Sequence, residues 1–371
     1  MKTLQHEEPD RVLVHMRGVL PNGTYRQWFN RNYDGDGYFL PEFGDFTVEH
    51  ESIGQDTVFA GIPTLIGTPS VILDEKDPNG FDIHVSVASG HMKVHSMHGG
   101  LGYSWYIDGY FKTPDIRKQL LEENGIDQLF GNEKYMPGER EYEAFKRKLK
   151  AMEKLDYEKA VIGQSGSLFE NTFEGLGASG LAHWMRKYPS ELDKLLDEMT
   201  GNILHAHKLM LEAGAYVVGI ADDLGQKDRG LVSPKNYARF YKPRLKKICD
   251  QAHKYGAFTW MHSCGFIENF LPHLIEAGLD AIQSLEPAAG VSIDRVKENF
   301  GDKMTFVGGM DSTRILSFGT VDEVIADAKH YLEVGMPGGG YIAGPSHRII
   351  DCPPENVQAL KDTIQKYGKY R

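Results

Sequence analysis

The sequence has few cysteines, no long apolar run and no excess of positive charge. Three cysteines among 371 residues cannot form a disulfide framework, and so low a count suits a reducing compartment. No run approaches the roughly 20 apolar residues that span a bilayer. The polar start MKTLQHEEPDR lacks the apolar core of a signal peptide. A formal net charge of −11 argues against nucleic acid or an anionic membrane surface as partner. We therefore expect a soluble, cytoplasmic protein.

What the chain does contain is a regular alternation of short apolar runs and amphipathic segments. Continuous apolarity is typical of parallel strands that are covered on both faces. In the C-terminal half, a helical pattern, a glycine and an apolar run follow one another repeatedly, with predicted helices at Ser190–Ala213, Pro234–Tyr255 and Ile267–Ala277. The predicted strands are Val12–Met16, Thr57–Phe59, Ala160–Gln164, Tyr216–Ala221, Phe258–His262, Ala281–Leu285, Thr305–Val307 and Tyr341–Ala343. This repeat predicts an α/β fold, and the number of strands favours closure into a (β/α)8 TIM barrel.

One segment in the N-terminal third, about residues 69–111, departs from the alternation. It carries a turn signal at Asn79-Gly80 and short alternating runs at Asp82–Val87 and His91–His95. We expect a β-rich excursion over the barrel mouth, within a single TIM-barrel domain that spans residues 1–371. Glu139–Asp156 is predicted to be a charged, solvent-facing helix.

Metal-binding residue types follow the fifth and eighth predicted strands, at the end of a barrel where active sites lie. His262 and Cys264 leave the fifth strand two residues apart, and imidazole and thiolate together suit zinc. The alternative interpretation is a hydrogen-bonded core histidine beside a small buried cysteine. After the eighth strand come His347 and then Cys352, either of which could add a ligand. Cys249 lies on the apolar stripe of a predicted helix and is expected to be an interior residue.

Carboxylates and an arginine follow two other strands. The fourth strand ends in Asp222 and Asp223, and paired acids can bind a metal, move a proton or cap a turn. We expect one of them to be functional and one structural. Arg17 follows the first strand, where it could clamp a substrate carboxylate or form a surface ion pair.

Several stretches of the C-terminal half resemble the uroporphyrinogen decarboxylase superfamily. They are the run from ADDLG through MHSCG to SLEP, then FVGGMDS and GGGYIAGPSH…CPPENV; the resemblance is close from about Ser190 to Gly368 and weak from Arg11 to Asp56. It implies a barrel with its site at the strand ends. True uroporphyrinogen decarboxylases carry an N-terminal arginine cluster and an aspartate, and they need no metal. Here only Arg17 of that cluster is present, and Asp56 has different flanks.

The chain is more similar to the corrinoid-dependent zinc methyltransferases of this superfamily. Their H-x-C motif matches His262 and Cys264, and Asp222 lies where their acidic ligand is expected. Their distal cysteine usually follows strand eight directly, where this chain has Ser346-His347. The resemblance therefore implies Zn²⁺ bound by His262, Cys264, Asp222 and Cys352, with His347 as the alternative to Cys352. Asp223, Asp222 and Arg17 are the expected catalytic residues.

The predicted function is methyl transfer from a small-molecule donor, such as a methoxylated aromatic, to the cobalt of a corrinoid. No DxHxxG-type motif is present, so a partner corrinoid protein is expected to carry the cobalamin. Trp105, Tyr106, Tyr110 and Phe111 could wall an apolar donor pocket or simply pack the excursion. Transfer from a methylcorrinoid to a thiol, a metal-free decarboxylase and a non-catalytic binding protein are the alternatives. The resemblance also leaves a homodimer possible.

Overall fold

The computed structural model describes residues 1–16, 56–98, 101–152, 160–349 and 352–370. Within these ranges the strands are β1 (Leu13–Val14), β2 (Thr57–Ala60), β3 (Ser70–Lys76), β4 (Asp82–Ser86), β5 (His91–His98), β6 (Leu101–Gly109), β7 (Ala160–Gln164), β8 (Val217–Ala221), β9 (Phe258–Ser263), β10 (Ala281–Ser284), β11 (Thr305–Gly308) and β12 (Tyr341–Ala343). The α-helices of the same ranges are α1 (Pro114–Glu123), α2 (Glu139–Met152), α3 (Phe169–Lys187), α4 (Pro189–Glu212), α5 (Pro234–Phe240), α6 (Lys242–Lys254), α7 (Leu271–Ala277), α8 (Ile293–Phe300), α9 (Ile315–Phe318), α10 (Val321–Gly335) and α11 (Pro354–Tyr367). No helix in these ranges has the length and apolar character needed to cross a membrane.

Eight strands form one parallel sheet in the order β1-β12-β11-β10-β9-β8-β7-β2. Each strand of this sheet lies beside the strand next to it in the βα repeat, which is the order of a barrel. All eight strands predicted from apolar runs are present, with ends that differ by a residue or two. The predicted (β/α)8 fold is therefore confirmed.

The two ends of the sheet are joined at β1 and β2. The backbone N–H of Asp56 donates to the carbonyl of Val14 at 2.9 Å, and the Asp56 carboxylate accepts from the Val14 N–H at 2.8 Å. Arg11 holds the same carboxylate with two bonds of 2.6 Å. Asp56, compared above with a decarboxylase aspartate, is thus part of the contact between the first and last strands of the sheet.

Inward-facing side chains of six strands form an apolar layer inside the barrel. These side chains are Ile162, Val217, Trp260, Ala281, Val307 and Ile342. Because side chains alternate along a strand, residues two positions further on each strand also face the interior. This layer therefore identifies which residues near the strand ends point toward the barrel axis.

The excursion is a four-stranded antiparallel sheet in the order β3-β4-β5-β6, as the alternating runs predicted. Asn79-Gly80 lies in the turn between β3 and β4, and Gly80 has a φ of 83°, which a glycine adopts without strain. The sheet docks on α3 at a close approach of two backbones. A Cβ on Gly175 would lie 1.9 Å from the carbonyl oxygen of Ser89, so only glycine fits there.

Three helices differ from the sequence prediction. The helix predicted at Ile267–Ala277 begins as α7 only at Leu271, after a 3₁₀ turn at Glu268–Phe270. The helix predicted at Pro234–Tyr255 is divided at Tyr241 into α5 and α6, because Pro243 has no backbone N–H to continue the hydrogen-bond ladder from α5 and is tolerated only in the first turn of a helix. The helix predicted to face solvent at Glu139–Asp156 is α2. Phe145 on this helix is completely buried, and Met152 is also buried. Their spacing puts both on one face of α2, which packs with α4, so α2 is amphipathic and not fully solvent-facing.

Candidate metal centre

Strands β9 and β10 place His262 and Gln283 next to each other inside the barrel. Trp260 and Ala281 belong to the apolar interior layer, so His262 and Gln283, two positions further on, also face the axis. The two residues are direct partners in the β9–β10 register. His262 is 4% exposed and Gln283 is fully buried. The histidine and the amide therefore face each other away from bulk water.

The imidazole of His262 is held in one orientation by this neighbour. Its Nδ1 is hydrogen-bonded to the Oε1 of Gln283, and because an amide oxygen only accepts, Nδ1 carries the proton. The lone pair is then on Nε2. This atom lies 3.1 Å from the Sγ of Cys264 and 3.5 Å from Oδ1 of Asp223. A ring held by a second polar group is the usual arrangement of a metal-binding histidine.

Two carboxylates hold the loop that carries Cys264. The backbone N–H of Cys264 donates to Asp223 at 2.9 Å, and the N–H of Gly265 donates to Glu286 at 2.9 Å. Gly265 has a φ of 78°, and a Cβ there would lie 2.3 Å from the Gly225 backbone. The turn after β9 thus needs a glycine, and it is positioned from both neighbouring strands.

Five possible donors meet at Cys264. Asp223, His262 and Cys264 offer ligand atoms within 4.8 Å of one another, and so do Cys264, Glu286 and His347. Imidazole, thiolate and carboxylate are the donors that zinc takes in proteins. The donor set of this structure therefore fits a zinc ion, with Cys264 common to both groups.

Asp222 points away from this cluster. It is 1% exposed, and its Oδ1 accepts from the hydroxyl of Ser167 at 2.9 Å. The same oxygen accepts from the backbone N–H of Leu168, just before α3, and from those of Phe169 and Glu170 in its first turn, at 2.8–3.1 Å. Burial raises the pKa of Asp222 to about 6, although these hydrogen bonds favour the charged form. Asp222 thus caps α3, and neither donor group found among the described residues includes it.

The alternation of β8 explains why the two neighbouring acids differ. Val217 belongs to the interior layer, so Gly219, Ala221 and Asp223 continue that face, and Asp222 lies on the opposite one. The same reasoning applied to the sequence would have favoured Asp223 for the barrel interior. The structure therefore separates one acid at the donor cluster from one at a helix end.

The remaining residues expected at the site are more dispersed. Cys352 is buried before α11, with its Sγ 3.3 Å from the hydroxyl of Ser317, and it belongs to neither donor group. Cys249 is an interior residue of α6, where burial raises the pKa of its thiol to about 12. Arg17 lies outside the described residues.

The aromatic residues of the excursion have different environments. Trp105 is 59% exposed on β6, whereas Phe111 is 2% exposed and lines a cavity beside α3. Sequence reasoning did not single out Gln283. Its signal is an amide inside the short buried strand Ala281–Ser284, at a position that faces the axis.

Comparison with known proteins places this architecture in a family. Residues 100–367 match the profile of uroporphyrinogen decarboxylase (URO-D). The methylcobamide:CoM methyltransferase MtaA of Methanosarcina barkeri is 29% identical over 185 residues, 50% of this chain and 51% of that relative. A uroporphyrinogen decarboxylase of Pseudoalteromonas atlantica is 27% identical over 225 residues, 58% of this chain and 61% of that relative. The chain thus spans roughly half the length of the curated relatives that it matches.

A solved structure shows the same fold. A methyltransferase from Methanosarcina mazei superimposes with a TM-score of 0.64 at 21% identity, over 99% of this chain and 97% of the other. Since the family profile covers well over half of the sequence, this chain belongs to the uroporphyrinogen decarboxylase (URO-D) family.

Proposed function

We propose that this protein is a corrinoid-dependent methyltransferase with a zinc centre at the strand ends. The observation that carries the proposal is that two histidines, His262 and His347, and the carboxylates of Asp223 and Glu286 are grouped around the sulfur of Cys264. The relatives named methylcobamide:CoM methyltransferases support the reaction class. In the proposed direction, a methylated small molecule, such as a methoxylated aromatic, gives its methyl group to the cobalt of a partner corrinoid protein.

The proposed zinc ligands are His262, Cys264 and His347. His347 is preferred to Cys352 because it lies with Cys264 and Glu286, while Cys352 contacts Ser317. Asp222 is left out of this set because it caps α3. Zinc bound here would supply a Lewis acid that stabilises the oxygen leaving the methyl group.

The residues of the chain have separate tasks in the proposed reaction. The Co(I) of the partner's corrinoid would supply the electron pair that accepts the methyl group as the bond between methyl carbon and oxygen breaks. The departing oxygen takes a proton, and Asp223 is the carboxylate placed to hold that proton beside His262. Gln283 keeps the ring of His262 in place, and Glu286 and Asp223 hold the Cys264 loop.

A second direction is favoured by the relatives. Their printed names give transfer from a methylcobamide to CoM, and a zinc-bound thiol would be activated in the same place. The two directions are distinguished by supplying methoxyarenes with Co(I) cobalamin in one assay and small thiols with methylcobalamin in another. Product formation in only one assay identifies the direction.

The test of the zinc proposal uses protein purified without chelators. We expect about one zinc per chain, and we expect the His262→Ala variant to lose both zinc and methyl transfer. His330→Ala is the matched control, because His330 is exposed on α10 and pairs with Asp294 away from the donors. Trace zinc in the wild-type protein, or full activity of His262→Ala, would contradict the proposal.

A further inference from the structure

The last residue of β7, Gln164, carries a polar side chain inside the barrel. Ile162, two positions earlier, belongs to the apolar interior layer, and side chains alternate along a strand. Between them, a Cβ on Gly163 would lie 3.0 Å from the Sδ of Met210 on α4, so position 163 faces the helices and not the axis. The side chain of Gln164 therefore points toward the axis, at the strand end where the donor cluster lies.

Gln164 and His262 stand at the same level of the barrel. Ile162 and Trp260 belong to one interior layer, so the residues two positions further on their strands, Gln164 and His262, belong to the next. Only β8 separates β7 from β9, and neighbouring strands lie about 4.8 Å apart, so about 10 Å separates the two backbones. One small molecule can thus contact both the Gln164 amide and a metal bound to His262.

Glycines on both neighbouring strands leave room beside this amide. On β8, Gln164 is paired with Gly219, and a Cβ there would lie 2.4 Å from the carbonyl oxygen of Trp260. On the other side, Ala60 of β2 pairs with Gly163, and a Cβ on the next residue, Gly61, would lie 2.0 Å from the carbonyl oxygen of Gln164. Backbone packing thus requires glycine at both positions, and neither provides a side chain that could cover or bind the amide.

The amide of Gln164 is accessible and has no protein partner. The residue is half-buried although it points into the barrel, so the space next to it admits a water-sized group. Among the residues that the structure describes, its side chain makes no hydrogen bond. The neighbouring amide of Gln283 is different, because it is fully buried and its oxygen is bound to His262. Since an interior polar group is normally hydrogen-bonded, the amide of Gln164 is available to a ligand.

The chemistry of an amide indicates which ligand group it would bind. Its nitrogen donates and its oxygen accepts, so both are satisfied only by a group that also does both. A hydroxyl is such a group. An ether oxygen or a carboxylate only accepts, and either would leave the amide oxygen of Gln164 without a donor.

We infer that Gln164 is a specificity-determining residue that hydrogen-bonds a hydroxyl group of the methyl donor while the methoxy group lies at the donor cluster. The inference rests on the proposed function for the reaction, but the recognition of the hydroxyl can be measured without turnover. It requires a donor with a free hydroxyl besides the methoxy group.

The first test measures binding in the absence of any corrinoid. The probes are the three isomeric methoxyphenols and methoxybenzene, which lacks the hydroxyl, titrated calorimetrically into zinc-loaded protein. We expect one methoxyphenol to bind about tenfold more tightly than methoxybenzene in the wild type, and the two to bind nearly equally in Gln164→Met, which keeps the length of the side chain but not its hydrogen bonds. Absence of methoxyphenol binding, equal binding of all four probes by the wild type, or an unchanged ratio in Gln164→Met overturns the inference.

Two further variants distinguish recognition from a structural role. Gln164→Glu keeps an oxygen that accepts from a hydroxyl and should retain the preference for the methoxyphenol. Gln365→Met is the control, because Gln365 is exposed on α11. The zinc content of all three variants should equal that of the wild type. Loss of zinc in Gln164→Met would assign the residue to the metal site and overturn its role in specificity.

A kinetic test separates the inference from the proposed function. In methyl transfer to Co(I) cobalamin, Gln164→Met should raise KM for the methoxyphenol about tenfold with little change in kcat, because the hydroxyl does not react. Wild-type turnover of the methoxyphenol and methoxybenzene with equal kcat/KM would overturn the inference and support the proposed function. Hydroxyl-selective binding that Gln164→Met abolishes, in a protein without methyl transfer, would support the inference for binding and contradict the proposed function.

Discussion

Replacing Gln283 by leucine is expected to weaken zinc binding while leaving the apoprotein nearly as stable as before. Leucine has a similar volume but cannot accept the hydrogen bond from Nδ1 of His262. The imidazole would then lose the contact that fixes its orientation and its tautomer. Because both residues are buried, water does not readily take the place of the amide.

The oxygen of the Gln283 amide determines the expected change in zinc affinity, and its nitrogen determines the expected change in folding stability. Loss of the group that hydrogen-bonds the far nitrogen of a metal-binding histidine typically costs about 10–100-fold in metal affinity, or about 1.4–2.8 kcal/mol. Folding stability should change less, because the Nε2 of Gln283 is buried and has no hydrogen-bond partner among the described residues. Removing that unsatisfied donor offsets part of the lost hydrogen bond.

Competition with a chromophoric chelator measures the zinc affinity, and urea unfolding of the apoprotein measures stability. Gln283→Glu keeps an acceptor in the same place and should restore most of the affinity. Gln251→Leu, on α6, is the control for a glutamine-to-leucine change outside the donor cluster. Nitrogen NMR of the His262 ring in apoprotein should show a protonated Nδ1 in the wild type and a mixture of tautomers in Gln283→Leu. Unchanged zinc affinity together with an unchanged tautomer would refute the positioning role.

Three further predictions concern the roles of individual carboxylates. Asp222→Ala should lower the free energy of unfolding by about 2–4 kcal/mol because α3 loses its cap, whereas Asp223→Ala should lower zinc affinity with little change in stability. Urea titration and zinc analysis of both variants measure these two effects. The reverse pattern would contradict the assignment. Arg11→Leu should cost about 1–3 kcal/mol, since it leaves the buried carboxylate of Asp56 without its cation, and Arg11→Lys should recover part of the loss in the same urea assay. Burial raises the pKa of Asp327 to about 6 from an ordinary 3.8, so its contribution to stability is present at low pH and is lost as the pH rises through 6. Relative to Asp327→Asn, the wild type should therefore lose about 1–2 kcal/mol between pH 4 and pH 7, and parallel pH profiles of the two proteins would rule this out.

Local sequence patterns were sufficient for most of the fold. Apolar runs such as Phe258–His262 and Ala281–Leu285 predicted strands that the structure contains at the same places. The physical reason is that a strand buried on both faces needs continuous apolarity, and a helix end needs a residue such as Gly278 that tolerates a positive φ. The division of the Pro234–Tyr255 helix depended on one proline whose effect is also local.

The composition of the site was also partly visible in the sequence. His262 and Cys264 were recognisable because a histidine and a cysteine two residues apart leave a buried strand together. The residues that lie close to this pair come from other strands. Spacing along the chain does not predict which of the polar residues at the strand ends point toward His262 and Cys264.

The sequence by itself determined the order of strands and helices, the excursion and the position of the His-x-Cys pair, since each depends on neighbours within a few residues. Only the tertiary structure decided the partners of that pair. Strand register put Gln283 opposite His262, and the pleat of β8 sent Asp223 inward and Asp222 to the end of α3. Cys352 was left beside Ser317 while His347 approached Cys264. These choices depend on contacts between residues up to 83 positions apart, as for Cys264 and His347, which only the closing of the sheet brings together.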